Sequence, residues 1–476
     1  MAKLSAWKMA CEVFVLCWAT AIAAPAQSFE TLVNFDGTNG SNPMPAGSLT
    51  QGRDGNLYGT TKFGGANNSG TIFQMTRVGT LTTLYDFCTQ KQCADGANPN
   101  VGLVLAPDGS FYGTTYSGGV NGAGVIFKVT PRIGVRTLHA FAGRPTDGAN
   151  PSAALTLGID GELYGTTYAG GASGAGTVFK ITPDGELTIL HNFDGNDGGL
   201  PGAALVLGVD GEFYGTTQLG GSYGDGSVFK ITGAGVLSTL HSFDSLDGAQ
   251  PAAPLVYASD GNFYGTTQVG GASNLCEQLG CGTVFKINPT TGKLITVHSF
   301  RGTDGALPLG ALIQATDGNL YGTTGAGGPD GGCGPGCGTI FEIKEAGALT
   351  LLHDFDFDDG EYPQGGLLEG TNGILYGSTW GGGAYASGTL YSLNMGFGPF
   401  VTFVRAVGRI GQTGGILGQG FTGTTNVSLN GSPTNFKVVS DTYLTATVPP
   451  GATTGLVTVV TPTGTLTSNV LFHVIP

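Results

Sequence analysis

Charge is the scarcest property of this chain. Only 11% of its 476 residues are charged, and 19 Lys and Arg face 33 Asp and Glu, for a formal charge of −14. Binding to nucleic acid rests on a basic surface that displaces counterions, so a nucleic-acid partner is excluded. Histidine, methionine and tryptophan are also sparse, at 6, 5 and 3 residues. No segment of useful length carries the 3.6-residue period of an amphipathic helix, and no apolar run after the N-terminus is long enough to span a bilayer. Phosphate-binding loops, paired metal-binding histidines and zinc-protease signatures are missing as well. Helical enzymes and multi-span membrane proteins are thereby set aside. Glycine, in contrast, is abundant: 87 residues, placed at regular intervals among β-branched and aromatic ones. Such a pattern predicts an all-β protein and not a disordered one.

The regularity is a repeat. Tyr-Gly-(Thr/Ser)-Thr occurs at Tyr58, Tyr112, Tyr164, Tyr214, Tyr264, Tyr321 and Tyr376, in steps of 54, 52, 50, 50, 57 and 55 residues. A period near 50 denotes a solenoid, a propeller or another array. Each unit reads as four short strands, in the fourth copy Ala203 to Val209, Glu212 to Gln218, Ser227 to Thr232 and Leu237 to Phe243. Asp-Gly or Asn-Gly, from Asp54-Gly55 to Asn372-Gly373, separates the first two strands of every unit. These dipeptides supply the positive φ angles of a tight hairpin, so the two strands pair antiparallel.

A strand of the fourth type, Thr31 to Phe35, precedes the first Tyr-Gly-Thr-Thr, and none follows Gly388 to Leu393. The offset predicts that the N-terminal strand completes the last unit, closing a seven-bladed β-propeller over residues 29–396 without an open edge. The four-to-one connections and the loops between strands two and three then share one long-loop face, and the hairpins share the other.

Residues 1–26 carry Lys3 and Lys8, an apolar run from Met9 to Ala24, and Ala24-Pro25-Ala26. This is the pattern of a cleaved secretory signal peptide, with an uncleaved anchor helix as the alternative. After cleavage no membrane span is expected, and the protein is read as a secreted or cell-surface monomer. Six cysteines follow as three close pairs, Cys88 with Cys93, Cys276 with Cys281 and Cys333 with Cys337, each in an insertion that other repeats lack. In an oxidising compartment they predict small disulfide loops. A four-thiolate zinc site from the second and third pairs is the alternative.

Residues 398–476 abandon the repeat for short alternating strands with Gly, Pro and Asn turns, which predicts a small immunoglobulin-like β-sandwich. Through Gly418 to Phe421, Val427 to Asn430, Thr445 to Pro449 and Gly455 to Val460 this segment resembles the IPT/TIG family, a resemblance that implies an interaction or spacer module. The repeats, through DGNFYGTT, then GG, then GTVFKI, resemble the GloVer-type tandem repeats of bacterial secreted proteins. That resemblance implies location and architecture, not chemistry.

Residues with chemical potential recur once per repeat. His139, His191, His241, His298 and His353 stand two residues before the Phe of the fourth strand, where Val33 and Tyr85 stand in the other units. Spread around a ring they cannot converge on one substrate, and they read as hydrogen-bonded or rim histidines. Asp95, Asp147, Asp197, Asp247, Asp304 and Asp359 each open Asp-Gly-x-x-Pro, which is turn chemistry with a ring of carboxylates as the functional alternative. Asp354, Asp356, Asp358 and Asp359, in DFDFDDG, form the densest cluster and the candidate cation site; oxygen ligands suit Ca²⁺. No other cofactor is expected. Gly220-Gly221-Ser222-Tyr223-Gly224 fits G-x-S-x-G but lies between strands, not at a strand-to-helix elbow. The repeated tyrosines read as sheet packing, with glycine beside them admitting a large side chain of the next sheet, or else as sugar-stacking surfaces.

The sequence therefore predicts a binding or adhesion protein that recognises a polysaccharide or protein partner on its long-loop face. The alternative is an extracellular polysaccharide hydrolase or lyase, which needs non-repeated polar residues converging on one point. Arg144, Arg301, Glu277 and Glu361 are the residues that break the pattern, and no catalytic pair stands out among them. A surface-layer role is a third reading.

Overall fold

The computed structural model describes residues 27–43, 48–130, 134–273, 276, 279–329 and 336–475. The segment assigned to a signal peptide, Cys333 and Glu277 lie outside them. Apart from one 3-10 turn at Lys91–Cys93, every regular element among the described residues is a β-strand.

Residues 28–394 form seven antiparallel sheets in sequence order. In the fourth repeat the strands are Val206–Leu207, Phe213–Thr217, Ser227–Ile231 and Leu237–Ser242, each paired with the next. Strand one is shorter than the expected Ala203 to Val209. A two-residue ladder pairs Val206 with Tyr214 and Leu207 with Phe213, a separate bridge joins Gly199 to Leu219, and the chain between leaves the sheet. Pro201 lacks the N–H that a ladder needs, and Leu200 before it sits at a φ of 54°. The fourth strand carries a bulge: Phe229 pairs with Thr239 but Val228 with His241, so Leu240 is skipped.

The N-terminal strand Ser28–Asn34 pairs antiparallel with Thr389–Asn394 of the last sheet. Aromatic rings then link sheet to sheet. Phe87 meets Phe127, Phe141 meets Phe179, Phe193 meets Phe229, Phe243 meets Phe285, and Phe300 meets Phe341, with centroids 5.2–5.4 Å apart. Phe355 meets Tyr391 of the last sheet at 5.2 Å, and Phe35, directly after the N-terminal strand of that sheet, meets Phe73 of the first at 5.6 Å. Burying each such ring stabilises by roughly 1.5–3 kcal/mol.

The tyrosine of the repeated motif is buried in every copy, at most 4% exposed. In five copies its hydroxyl donates to the aspartate four residues earlier, as from Tyr214 to Asp210 at 2.7 Å and from Tyr321 to Asp317 at 2.8 Å, whereas Tyr376 Oη accepts from Asn372 Nδ2 at 3.0 Å. These tyrosines pack the sheets and are not available to stack on sugars. The neighbouring glycine is needed, but for a different partner than the sequence suggested. A Cβ at Gly265 would lie 2.5 Å from Phe285 Cζ and 2.8 Å from Leu255 Cδ2, both in the same repeat.

Residues 402–475 build two four-stranded sheets. One holds Thr402–Phe403, Thr413–Leu417, Tyr443–Thr447 and Phe436–Ser440; the other holds Ser432–Pro433, Asn426–Leu429, Val457–Thr461 and Gly464–Thr467. Phe421, Val427, Leu444 and Val459, all without exposed surface, form the core between them. This unit docks on the hairpin turns of the repeats. Thr442 Oγ1 donates to Arg53 O, Arg405 to Gly158 O, Gln412 to Ile159 O, Arg77 to Gln419, and Phe400 N–H to Thr371 O. His473 packs edge-on against Tyr257 at 5.7 Å, and the Arg53 guanidinium lies 4.2 Å from the Tyr443 ring centroid.

Candidate functional site

At the opposite end from the docked unit, residues of all seven repeats line one cavity of about 420 Å³. Two repeat positions make its wall. One directly follows the Thr-Thr pair: Lys62, Tyr116, Tyr168, Gln218 and Trp380 line the cavity from it, and Gln268 and Gly325 occupy it in the other repeats. The second directly follows the proline: Asn100, Ser152, Gly202, Ala252, Leu309 and Gln364. Around these positions the repeats are near copies, whereas the first position holds five residue types in seven repeats and the second a different residue in each of these six.

The residue before that proline holds the wall in place. Asn42, Asn98, Asn150, Leu200, Gln250, Leu307 and Tyr362 all have φ between 53° and 57°, a conformation that costs an ordinary L-residue roughly 1–2 kcal/mol. Hydrogen bonds on both sides account for it. Leu200 N–H donates to Ala175 O of the preceding repeat at 2.8 Å, and Leu200 O accepts from the Gln218 N–H at 3.2 Å. Asn adds a third bond: Asn98 Nδ2 donates to Lys62 O, Asn150 to Tyr116 O and Asn42 to Trp380 O, at 3.1, 3.0 and 2.8 Å. Each wall residue is thus anchored through its backbone, and its side chain is left for contact.

The lining is aromatic and amide-rich. Tyr168 Oη donates to Gln218 Oε1 at 3.4 Å, and Trp380 meets Tyr362 edge-on at 6.4 Å. Gly202 makes room, since a Cβ there would lie 2.7 Å from Gln218 Nε2. Lys62 is the one charged lining residue; its ammonium lies 5.4 Å from the Phe63 ring centroid, and burial holds its pKa below the usual lysine value. No described carboxylate pairs with it. Asn100 Oδ1 and Ser152 Oγ are buried without a hydrogen-bond partner among the described residues.

The histidines and turn aspartates, separate features in the sequence, are partners. His139, His191, His241 and His353 Nε2 lie 2.7 Å from Oδ2 of Asp147, Asp197, Asp247 and Asp359, and His298 lies 3.0 Å from Asp304. Tyr85 takes the same part with Asp95, at 2.7 Å. The other carboxylate oxygen caps the turn, as where Asp304 Oδ1 accepts the Arg301 N–H at 2.7 Å. Burial pushes the Asp247 and Asp304 carboxyls up, but the hydrogen bonds from histidine and backbone outweigh it and leave both below the usual value. The shared spacing of the two series was the signal that joins them.

In DFDFDDG, Asp359 is turned to His353 and to the Asp356 N–H, and Asp356 Oδ1 accepts the N–H groups of Asp358 and Asp359 at 2.9 and 3.0 Å. Asp354 lies on the fourth strand opposite Thr339. No group of three or more His, Cys, Asp or Glu among the described residues is placed to hold a metal ion. Cys88–Cys93 and Cys276–Cys281 are disulfides, which takes the second pair out of any zinc site. Cys337 is fully buried. Ser222 lies in an exposed turn with its N–H donating to Ser242 Oγ. Arg144, Arg301 and Glu361 stand in three different connections, and no ion pair among the described residues joins them.

The Gloeobacter/Verrucomicrobia repeat matches residues 20–208, 133–333 and 202–437. No curated protein matches. Among solved structures, a streptogramin B lyase is similar at 18% identity and a TM-score of 0.53, over 77% of this chain and 97% of its own. The virginiamycin B lyase of Staphylococcus aureus is similar at 16% identity and 0.51, over 77% and 98%. A copper-bound fungal alcohol oxidase of the AA5 family is similar at 13% identity and 0.53, over 94% and 99%. At these identities the likeness is one of fold, which is propeller-like.

Proposed function

The chain belongs to the Gloeobacter/Verrucomicrobia repeat family, and on that footing we propose that it is a secreted or cell-surface binding protein, monomeric, that recognises a polysaccharide or protein partner on its long-loop face. Its seven sheets are the blades of a closed propeller, with Ser28–Asn34 as the closing strand. The observation that carries the reading is the cavity: seven repeats converge there, and the side chains they present are those in which the repeats differ. A fixed scaffold with variable contact positions is the arrangement of a recognition surface. The described lining includes no carboxylate and no histidine, so the hydrolase or lyase alternative lacks an acid–base pair there.

Export is supported by the leader pattern at 1–26 and by the two disulfides; no described helix is long and apolar enough to cross a membrane. The docked C-terminal sandwich, with its IPT/TIG resemblance, serves as a support on the hairpin face. Cation binding at Asp354, Asp356, Asp358 and Asp359 is a separate proposal, in which the exposed Asp358 and the second carboxylate oxygen of Asp356 would face the ion. The test is a binding screen against bacterial and plant polysaccharides and candidate proteins, with and without Ca²⁺, in which bound glycan is checked for cleavage. Retention without cleavage is expected. Cleavage would replace the binding reading with the enzymatic one.

A further inference from the structure

The cavity resolves further, on the premise that the long-loop face is the recognition surface. Its floor is tight. Directly below the lining positions, Thr60 Oγ1 donates to Val101 O at 2.8 Å and Thr323 Oγ1 to Gly365 O at 3.1 Å, each bond crossing from one repeat to the next. Neighbouring repeats meet closely there: a Cβ at Gly102 would lie 2.5 Å from Ser48 O, and one at Gly366 2.9 Å from Ala311 Cβ. Beyond them the docked sandwich bonds to hairpins of the first, third and seventh repeats. With the sandwich seated on the hairpin end, the cavity is a cup that opens on the long-loop face. A cup admits the end of a chain and excludes its middle.

Its chemistry matches a sugar. Rings offer flat apolar faces, and the amides and hydroxyls of the lining offer both donors and acceptors. The unpaired ammonium of Lys62 adds a fixed point for one negative charge in a chain that is otherwise acidic. A volume near 420 Å³ is within the range of about 300–1,000 Å³ that encloses small ligands.

We propose that this cup receives the terminal residue of a glycan chain, an acidic sugar in preference to a neutral one. Tyr116, Tyr168 and Trp380 supply the stacking faces, the Gln218 and Gln364 amides bind sugar hydroxyls, and Lys62 faces the sugar carboxylate.

The test is titration calorimetry of the full chain with three saccharides: a linear hexuronic-acid trisaccharide, a linear neutral trisaccharide, and a cyclic neutral oligosaccharide, which has no end. Both linear forms should bind, the acid more tightly, and the cyclic form should not. Trp380→Ala and the cup-filling Leu309→Trp should each weaken the linear forms roughly tenfold or more, and Lys62→Gln should weaken only the acidic one. Thermal unfolding of each variant checks that it folds, and Trp380→Phe, which keeps a ring, should restore most of the affinity. Equal binding of cyclic and linear forms, or binding untouched by Trp380→Ala and Leu309→Trp, overturns the cup as the site while polysaccharide recognition by the loops survives. Silence toward all three saccharides overturns the glycan assignment and leaves a protein partner for the long-loop face.

Discussion

At the residue scale, the histidine that five repeats carry is a pin whose counterpart arrives with the next turn. His241 bonds to Asp247, and Asp247 caps the Asp244 N–H, so one carboxylate ties the end of a strand to the connection that follows. His241→Ala should cost about 1 kcal/mol, the net worth of one such bond, and Asp247→Ala about 2 kcal/mol, since the buried cap is lost too; urea midpoints measure both. His241→Tyr should be nearly neutral, because Tyr85 already fills this role opposite Asp95. The pH dependence follows from the carboxyls of Asp95, Asp247 and Asp304, which are held below their usual value in the fold. The unfolded chain binds more protons near its carboxylate pKa of about 3.9, so this stability is complete above that value and is lost as pH falls through the lower folded ones. Unfolding midpoints should drop as pH falls below about 4.

At the scale of elements, the strand that fails to be continuous is the one that builds the site. The hairpins were legible because Asp-Gly and Asn-Gly fix local geometry by themselves. The break in the first strand was not, because Leu200 is held at positive φ by bonds to Ala175 and Gln218, partners 25 and 18 residues away, which local propensity does not see. The fourth-strand bulge escaped the sequence reading for the same reason. The wall positions carried a readable signal, variation within an otherwise faithful repeat, but only their placement around one cavity gives it meaning. Asn occupies the strained position in three repeats and adds a side-chain bond there. Leu200→Asn should therefore stabilise the protein by roughly 1 kcal/mol through better tolerance of the left-handed region. A loss of stability would show that Leu200 makes a packing contact worth more than the strain. Gly265→Ala should destabilise by about 1–3 kcal/mol through the clash with Phe285 and Leu255, as thermal melts would report.

At the scale of the whole molecule, the two ends of the repeat array are joined by strand pairing, by the ring contact of Phe35 with Phe73, and by the Asn42 bond to Trp380. Phe35 has no exposed surface, so Phe35→Ala should cost about 3–5 kcal/mol, more than a local loss at a frayed terminus. Intact joining is also what makes one cavity from seven repeats. Stoichiometry separates that arrangement from an array of independent modules, so the deciding measurement is the number of ligand molecules bound per chain when the linear acidic trisaccharide is titrated to saturation. One per chain is predicted, because the repeats share a single site. A value approaching one per repeat would contradict the account, since it would place recognition on each sheet separately and leave the common cavity without a role.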